Sequence, residues 1–204
     1  MAVALYGVDI ETDTSVDGLD PAVSRVLAVA VSSEIDGDVI FTGAEAGILS
    51  AVDQHLAELP AGVIVSWNGA AFDLPFLADR ARWAGVELGL ELRWDGSLHR
   101  PGRLPLPGHG GAYRARWYDH AHVDAYRAWR ALSDPGVPCG LKAVARVAGL
   151  DVVDVDDKRR IHRLGLAALR RYVASDAALT RRLATLRWPE VARFIDTDGL
   201  APAV

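Results

Sequence analysis

Four acidic residues with the chemistry of metal ligands lie in three short motifs spread along the chain. The motifs read VDIET (residues 8–12), NGAAFDLPFL (68–77) and YVASD (172–176), and the acids are Asp9, Glu11, Asp73 and Asp176. Carboxylates brought to one point repel each other and resist ionising together. Hard divalent cations prefer oxygen ligands and are the natural partners of such a cluster. The set therefore predicts two divalent cations, Mg²⁺ or Mn²⁺, and two-metal hydrolysis of a phosphodiester bond.

Each motif is weak alone and depends on the element that carries it. Asp9 and Glu11 are two residues apart on a predicted strand, so both side chains face the same side, although a solvated strand end is the alternative. Asp73 opens a predicted helix, where an ordinary first-turn carboxylate is the alternative. Tyr172 and Asp176 share one face of a predicted helix, where a surface pair is the alternative. In this order and on these elements, the motifs together indicate one site.

Hydrophobic periodicity predicts an α/β fold. Three strands and a helix come first, then a strand and a helix, and the last part is mainly helical. The predicted strands are 3–9, 26–32, one that begins at 39, and 63–65. Residues 123–129 are predicted to be the end of a strand that runs into a helix. The other predicted helices are 45–59, 74–83, 141–147 and 164–186. This order is compatible with a ribonuclease H-like mixed β-sheet of about five strands flanked by α-helices, in one domain over residues 1–204.

Residues 91–117 are rich in Gly, Pro, Arg and His and show little periodicity. We expect a long excursion from the core, because loops of this length are usually functional or disordered. A basic segment beside an acidic site is able to bind the phosphates of a nucleic-acid strand. A solvated loop with no role in substrate binding is an equally good interpretation. The candidate substrate contacts are Asn68, Phe72, Arg100, Arg103, Arg114 and Arg116, with packing favoured for Phe72.

Composition narrows the class of protein. The chain has 204 residues, 50% of them hydrophobic, which suits a domain with a sizeable core. No run reaches the ~18 uncharged apolar residues of a membrane span, and the eight residues before Asp9 leave no room for a signal peptide. The single cysteine, Cys139, fits a reducing cytoplasm and is interpreted as a packing residue. A net charge of -5 argues against a nonspecific nucleic-acid coat protein but not against a metal-loaded enzyme.

The three motifs resemble the exonuclease motifs of the DEDD superfamily of 3′→5′ exonucleases, and most closely those of the exonuclease domains of family B DNA polymerases. The segments 122–126 (HVDAY) and 140–145 (GLKAVA) also resemble stretches between the second and third motifs of that branch. Tyr172, four residues before Asp176, identifies the tyrosine (DEDDy) variant, because the histidine variant has its histidine where this chain has Arg171. The resemblance runs from Tyr6 to about Leu183 and implies a free-standing exonuclease domain without polymerase palm or fingers.

This resemblance also implies roles for the acids. Asp9 is expected to bridge both metals, Glu11 and Asp176 to complete the first metal site, and Asp73 to support the second. Tyr172 is expected to orient the attacking water, since an ordinary pKa near 10 makes it a poor general base. The implied substrate is DNA or RNA with a free 3′ end, single-stranded at the site, and the implied product is a nucleoside 5′-monophosphate. No membrane partner is expected.

Three other hypotheses stay open at this point. The chain could be a non-catalytic nucleic-acid-binding or scaffold module of the same fold in a repair or replication assembly. It could also keep the chemistry as one subunit of such an assembly. In the third, the motifs are coincidences on a partner-binding helical protein, and they would then lie far apart in space. His120 and His122 are interpreted as structural and not as metal ligands.

Overall fold

The computed structural model describes residues 3–98, 104–134 and 136–196. Within these residues the strands form one mixed seven-stranded sheet with the order β3-β2-β1-β4-β7-β6-β5. The strands are β1 (Leu5–Thr12), β2 (Val26–Ser32), β3 (Asp38–Thr42), β4 (Val63–Ser66), β5 (Leu90–Trp94), β6 (Tyr113–Trp117) and β7 (His120–Asp124). The strand β1, which carries the first acidic motif, therefore lies inside the sheet and not at an edge.

Helices cover both faces of this sheet. They are α1 (Glu45–Glu58), α2 (Asp73–Ala84), α3 (Ala125–Leu132), α4 (Leu141–Val147), α5 (Leu166–Leu186) and α6 (Trp188–Val191), with 3₁₀ segments at Gly96–Leu98, Lys158–Arg163 and Ala192–Phe194. Among the residues that the structure describes, no helix is both long enough and apolar enough to cross a membrane.

Strand directions bring the predicted site to one edge of the sheet. β1 runs antiparallel to β2 and parallel to β4, and β4 runs parallel to β7. The carboxyl ends of β1, β4 and β7 therefore meet at the same edge. The first acidic motif ends β1, the second motif follows β4, and Asp124 ends β7. In open α/β sheets this edge is where ligands commonly bind.

Alternation along β1 separates a packing face from a chemical face. Tyr6, Val8 and Ile10 are buried in the main apolar cluster with residues of α1 and α2. Successive side chains of a strand point to opposite faces, so the remaining alternate residues, Gly7, Asp9 and Glu11, point to the other face. The helix α5 packs on that other face, through a second apolar cluster that includes Tyr172 and Val173.

The predicted fold class is confirmed, but the prediction for residues 91–117, and with it the number of strands, is wrong. Strands β1 to β4 and the helices from α1 to α5 lie where the periodicity predicts them, within a few residues. Residues 91–117 do not leave the core as a whole. The segment begins and ends in strands, β5 and β6, which pair antiparallel and extend one side of the sheet. This pair also makes the predicted count of about five strands too low.

Candidate active site

Gly7 decides how closely α5 approaches the chemical face of β1. A Cβ atom built on Gly7 would collide with the backbone carbonyl oxygen of Ala177 and lie 2.8 Å from the Cβ of Arg181. Only glycine leaves the space that the α5 backbone fills here. Asp176 precedes Ala177 in α5, so this close approach brings the last acidic motif onto the first.

Gly7→Ala is expected to lower the free energy of unfolding by about 3 kcal/mol or more, because the added methyl group meets backbone, which cannot rotate away. It should also move Asp176 away from Asp9 and weaken metal binding. Urea denaturation measures the first effect and Mn²⁺ titration the second. Gly47→Ala is the matched control, since a Cβ at this exposed position in α1 meets nothing within 4 Å and alanine favours a helix. Equal stability of the two variants would contradict this role of Gly7.

Three of the four predicted acids converge. Asp9, Glu11 and Asp176 each offer a carboxylate oxygen, and these oxygens all lie within 4.8 Å of one another. Opposing ligands of Mg²⁺ lie about 4.2 Å apart, so small side-chain movements would let these oxygens share one cation. The hypothesis that the motifs are coincidences predicts that they lie far apart, and this convergence contradicts it.

One oxygen of Asp176 has the properties of a free metal ligand. Asp176 Oδ1 is buried, and within the described ranges it accepts no aligned hydrogen bond. Its nearest cation, Lys142 Nζ, lies 3.2 Å away as an ion pair. A buried carboxylate oxygen without an aligned donor is costly, and a divalent cation would satisfy it. The donor set of this site therefore fits the hard cations that the sequence predicts.

Asp73 lies beside the cluster but not within it. It is the first residue of α2 and is buried. Burial raises the pKa of its carboxyl group, and the nearby backbone N–H groups of Asp73 itself and of Ile10 partly offset this. The contribution of Ile10 shows that the start of α2 lies close to β1. The negative charge of Asp73 contributes to the raised pKa of both Asp9 and Glu11, so the four acids share one electrostatic environment.

Burial dominates the ionisation of all four acids. Loss of hydration raises the pKa of Glu11 to about 8, that of Asp73 to about 7 and that of Asp176 to about 6. Burial and then the charge of Asp176 raise the pKa of Asp9 well above its ordinary value. Without cations, several of these carboxyl groups therefore keep their protons near neutral pH. Bound divalent cations would replace those protons.

Tyr172 lies on the same face of α5 as Asp176 and is almost fully buried. Burial, and then the negative charges of Asp176 and Glu11, raise the pKa of its phenol far above the ordinary value. The hydroxyl group therefore keeps its proton at neutral pH and acts as a hydrogen-bond donor or acceptor, not as a base.

Lys142 is a member of the site that the sequence analysis did not predict. This buried side chain of α4 donates a 2.6 Å hydrogen bond from Nζ to Val153 O. The same Nζ lies 3.2 Å from Asp176 Oδ1 and 3.6 Å from the centre of the Tyr172 ring. The sequence offered one hint of this role, which is that Lys142 and Lys158 are the only lysines of the chain. Lys158 also acts on the site, since its charge lowers the pKa of Glu11 and of Asp176.

The two histidines near the site are structural, as predicted. His122 Nδ1 donates to Asp196 Oδ2 at 2.8 Å, which leaves Nε2 to accept a 2.8 Å hydrogen bond from Ser66 Oγ. His120 Nε2 donates to the backbone carbonyl oxygen of Leu56 at 2.7 Å. Both rings are buried; His122 uses both of its nitrogens within the fold, and His120 uses Nε2, whereas its Nδ1 has no hydrogen-bond partner among the described residues. Cys139 is also buried and unbridged, which confirms its packing role.

Asn68 and Phe72 border a cavity of about 280 Å³ at the same edge of the sheet. Asn68 adopts a left-handed backbone with φ of 73°, which asparagine tolerates better than most residues. Its backbone N–H donates a 2.9 Å hydrogen bond to Asp124 Oδ1, which fixes the turn after β4. The Phe72 ring packs against Phe76, with ring centres 5.4 Å apart. Other residues around the cavity include Leu98, Leu104, Leu106, Ala112 and Arg127.

Two of the arginines predicted to contact substrate, Arg114 and Arg116, make hydrogen bonds within the protein. Arg114 Nε donates a 2.6 Å hydrogen bond to Asp95 Oδ2. Arg116 Nε donates a 2.6 Å hydrogen bond to the carbonyl oxygen of Tyr118. Neither residue borders the cavity. Arg100 and Arg103 lie outside the described residues.

The sheet register also separates Arg116 from the acids. Arg116 pairs with Ala121, Ala121 pairs with Val63, and Val63 pairs with Leu5, the first residue of β1. Asp9 lies four residues further along β1, or about 13 Å at the rise of a strand. Arg116 is also three strands away from β1. The structure thus does not bring Arg116 to the acids, and its role in substrate binding stays a prediction.

Comparisons with known proteins agree with the motifs. A DNA polymerase of Archaeoglobus fulgidus is 28% identical over 155 residues, which cover 74% of this chain and 18% of the polymerase. The structure of the family B DNA polymerase from the hyperthermophilic archaeon Pyrobaculum calidifontis matches all of this chain and 28% of its own, with a TM-score of 0.73 and 23% identity. No protein-family model matches the chain. The chain thus spans less than a third of either polymerase. Both findings confirm the predicted resemblance to family B DNA polymerases, and the structural likeness confirms the ribonuclease H-like fold.

Proposed function

We propose that this chain is a metal-dependent 3′→5′ exonuclease that removes nucleoside 5′-monophosphates from the end of a DNA or RNA strand. The observation that carries the proposal is the convergence of Asp9, Glu11 and Asp176 within 4.8 Å, with buried Asp73 beside them. The resemblance to polymerases supports a nucleic-acid substrate. Carboxyl groups with raised pKa values beside the buried Tyr172 fit hydrolysis better than a purely structural role.

The four acids are the proposed ligands of two divalent cations, Mg²⁺ or Mn²⁺. Asp9 is central, because Glu11, Asp73 and Asp176 all act on its ionisation. Glu11 and Asp176 would complete the site of one cation, and Asp73, at the start of α2, would support the site of the other. When bound, such ions supply Lewis acidity and a nucleophile from water near neutral pH.

Tyr172 is proposed to orient the reacting water by a hydrogen bond from its protonated hydroxyl group. Tyr172→Phe is expected to slow hydrolysis by about 10- to 100-fold and to leave Mn²⁺ affinity nearly unchanged. Single-turnover hydrolysis and Mn²⁺ titration measure the two effects. Tyr118→Phe is the control, because its hydroxyl group bonds Asp53 and its backbone bonds Gly89 outside the acid cluster. A Tyr172→Phe enzyme as fast as the Tyr118→Phe enzyme would refute the orienting role.

The cavity is proposed to hold a base of the strand that enters the site. Its lining combines apolar side chains with the Phe72 ring and the polar residues Asn68 and Asp124. Bases bind such surfaces by stacking and apolar contact, with little dependence on sequence. A base can enter only when it is unpaired, so the proposal favours a 3′ end that is single-stranded at the site. A cytoplasmic location and a partner in replication or repair belong to the same proposal.

Digestion of 5′-labelled strands tests the proposed activity. Single-stranded DNA, single-stranded RNA and duplex DNA are incubated with the protein in Mn²⁺, in Mg²⁺ and in EDTA. The proposal predicts a ladder shortened from the 3′ end and nucleoside 5′-monophosphates in either metal, and neither in EDTA. Binding of these strands without hydrolysis would instead favour the non-catalytic module. Release of products from the 5′ end would overturn the proposed direction.

A further inference from the structure

Lys142 places a positive charge inside the proposed metal centre. Its side chain is 7% exposed and reaches from α4 to Asp176, the one acidic residue of α5. Nζ lies 3.2 Å from Asp176 Oδ1, 3.6 Å from the Tyr172 ring centre and 2.6 Å from Val153 O. One of the three N–H donors of the ammonium group bonds Val153 O, while the Asp176 carboxylate is at ion-pair distance and the Tyr172 ring at cation–π distance. The side chain is therefore held in one position by groups from α5 and from the segment before it.

The position of Nζ makes it a competitor for the cation that Asp176 is proposed to bind. Asp176 Oδ1 has no aligned hydrogen bond within the described part of the chain, so its lone pairs are not fully used by Lys142. A divalent ion at the same oxygen would lie within a few ångströms of the ammonium group. Like charges at that separation in a buried site repel each other.

We infer that Lys142 is a resident counter-ion of the metal centre, which holds Asp176 and Tyr172 in position before metal binds and competes with the metal for the Asp176 carboxylate. This inference rests on the proposed function, because it needs the acids to bind divalent cations. Lys142 is then a positioning residue. Its charge lowers metal affinity, while its contacts keep the unloaded site assembled.

Mn²⁺ titration of Lys142→Met in calorimetry tests this inference. Methionine keeps much of the length and the apolar stem but removes the charge. Mn²⁺ should bind the variant about tenfold more tightly, a typical size for coupling between two neighbouring sites. A residue that only supported the fold would give unchanged or weaker binding when removed, and either result would overturn the inference.

Lys158→Met is the matched control. It removes the only other lysine, whose side chain is exposed and whose charge acts on Glu11 and Asp176 without a contact. The inference predicts a clearly smaller gain of Mn²⁺ affinity for this variant than for Lys142→Met. Equal gains would mean that general charge, and not the contact with Asp176, sets the affinity. No Mn²⁺ binding by the unaltered protein would count against the proposed function itself.

A folding measurement keeps the inference testable if Lys142→Met is unstable. Breaking a buried ion pair on one side leaves an uncompensated charge, whereas removing both sides does not. In EDTA, Lys142→Met should melt roughly 5–10 °C below the unaltered protein, and Lys142→Met combined with Asp176→Asn should recover most of that loss. A double variant that melts no higher than Lys142→Met would show that Lys142 acts by packing on Tyr172, and the counter-ion role would be rejected.

Discussion

Asp9→Asn is expected to reduce the rate of 3′-end hydrolysis by about a thousandfold or more, which corresponds to about 4 kcal/mol of transition-state stabilisation. Asp9 is the acid whose ionisation is affected by each of the other three, so it is the residue best placed to bind both cations. Asparagine has almost the same shape but supplies a neutral oxygen, so divalent cations bind it more weakly. Single-turnover hydrolysis of a 5′-labelled strand in Mn²⁺ measures the loss.

The same substitution should not unfold the protein. Removing one of four mutually repelling carboxylates relieves repulsion in the metal-free state, so the free energy of unfolding in EDTA should stay the same or rise. Asp38→Asn is the control, because Asp38 is an exposed residue at the start of the edge strand β3. We expect this control to keep full activity. An Asp9→Asn protein that hydrolyses strands at the rate of the control would remove Asp9 from the mechanism.

The metal-free protein is expected to lose stability as the pH rises from about 5 to about 8. The folded state raises the pKa of Glu11 to about 8, that of Asp73 to about 7 and that of Asp176 to about 6. A raised carboxyl pKa favours the folded state below the ordinary pKa near 4, and this contribution is lost as the pH rises through the folded-state values. Each deprotonation in the metal-free site adds a negative charge that is poorly hydrated and repelled by its neighbours.

Divalent cations should reverse this trend. They replace the protons at the acids, so Mn²⁺ should stabilise the fold more at pH 8 than at pH 6. At a concentration of 100 times the dissociation constant, the gain would be about 2.7 kcal/mol. Urea denaturation over this pH range, in EDTA and in Mn²⁺, measures both effects. A metal-free stability that increases with pH, or a Mn²⁺ effect that does not depend on pH, would contradict the electrostatic picture of the site.

The acid motifs could be predicted from the sequence because the relevant physics is local. Two acids at a spacing of two on a strand share a side, and a tyrosine and an acid at a spacing of four on a helix share a face. The pairing of β1 with β4 then brings the first two motifs to the same edge. The order of the elements was enough to anticipate this convergence.

The missed features depend on contacts between distant parts of the chain. Gly7 looks like an ordinary strand residue until α5 lies on it, and Lys142 looks like a surface lysine until α4 turns it toward Asp176. The strands β5 and β6 do alternate apolar and polar residues, as in Leu90, Leu92 and Trp94, with Glu91 and Arg93 between them. The glycine- and proline-rich stretch that separates the edge strand β5 from its neighbour β6 hid this pattern. Charged residues on edge strands are common, because they discourage pairing with other chains.

Mn²⁺ titration of the metal-free protein, by calorimetry at pH 7.5 with Asp9→Asn in parallel, tests the central claim most directly. The four acids are proposed to hold two cations, so the unaltered protein should bind two Mn²⁺ ions and release protons as they bind, because several of the carboxyl groups start protonated. The Asp9→Asn protein should bind them much more weakly. A folded protein that shows no saturable Mn²⁺ binding, or that binds equally well without the Asp9 carboxylate, would contradict the assignment of these acids as a metal centre.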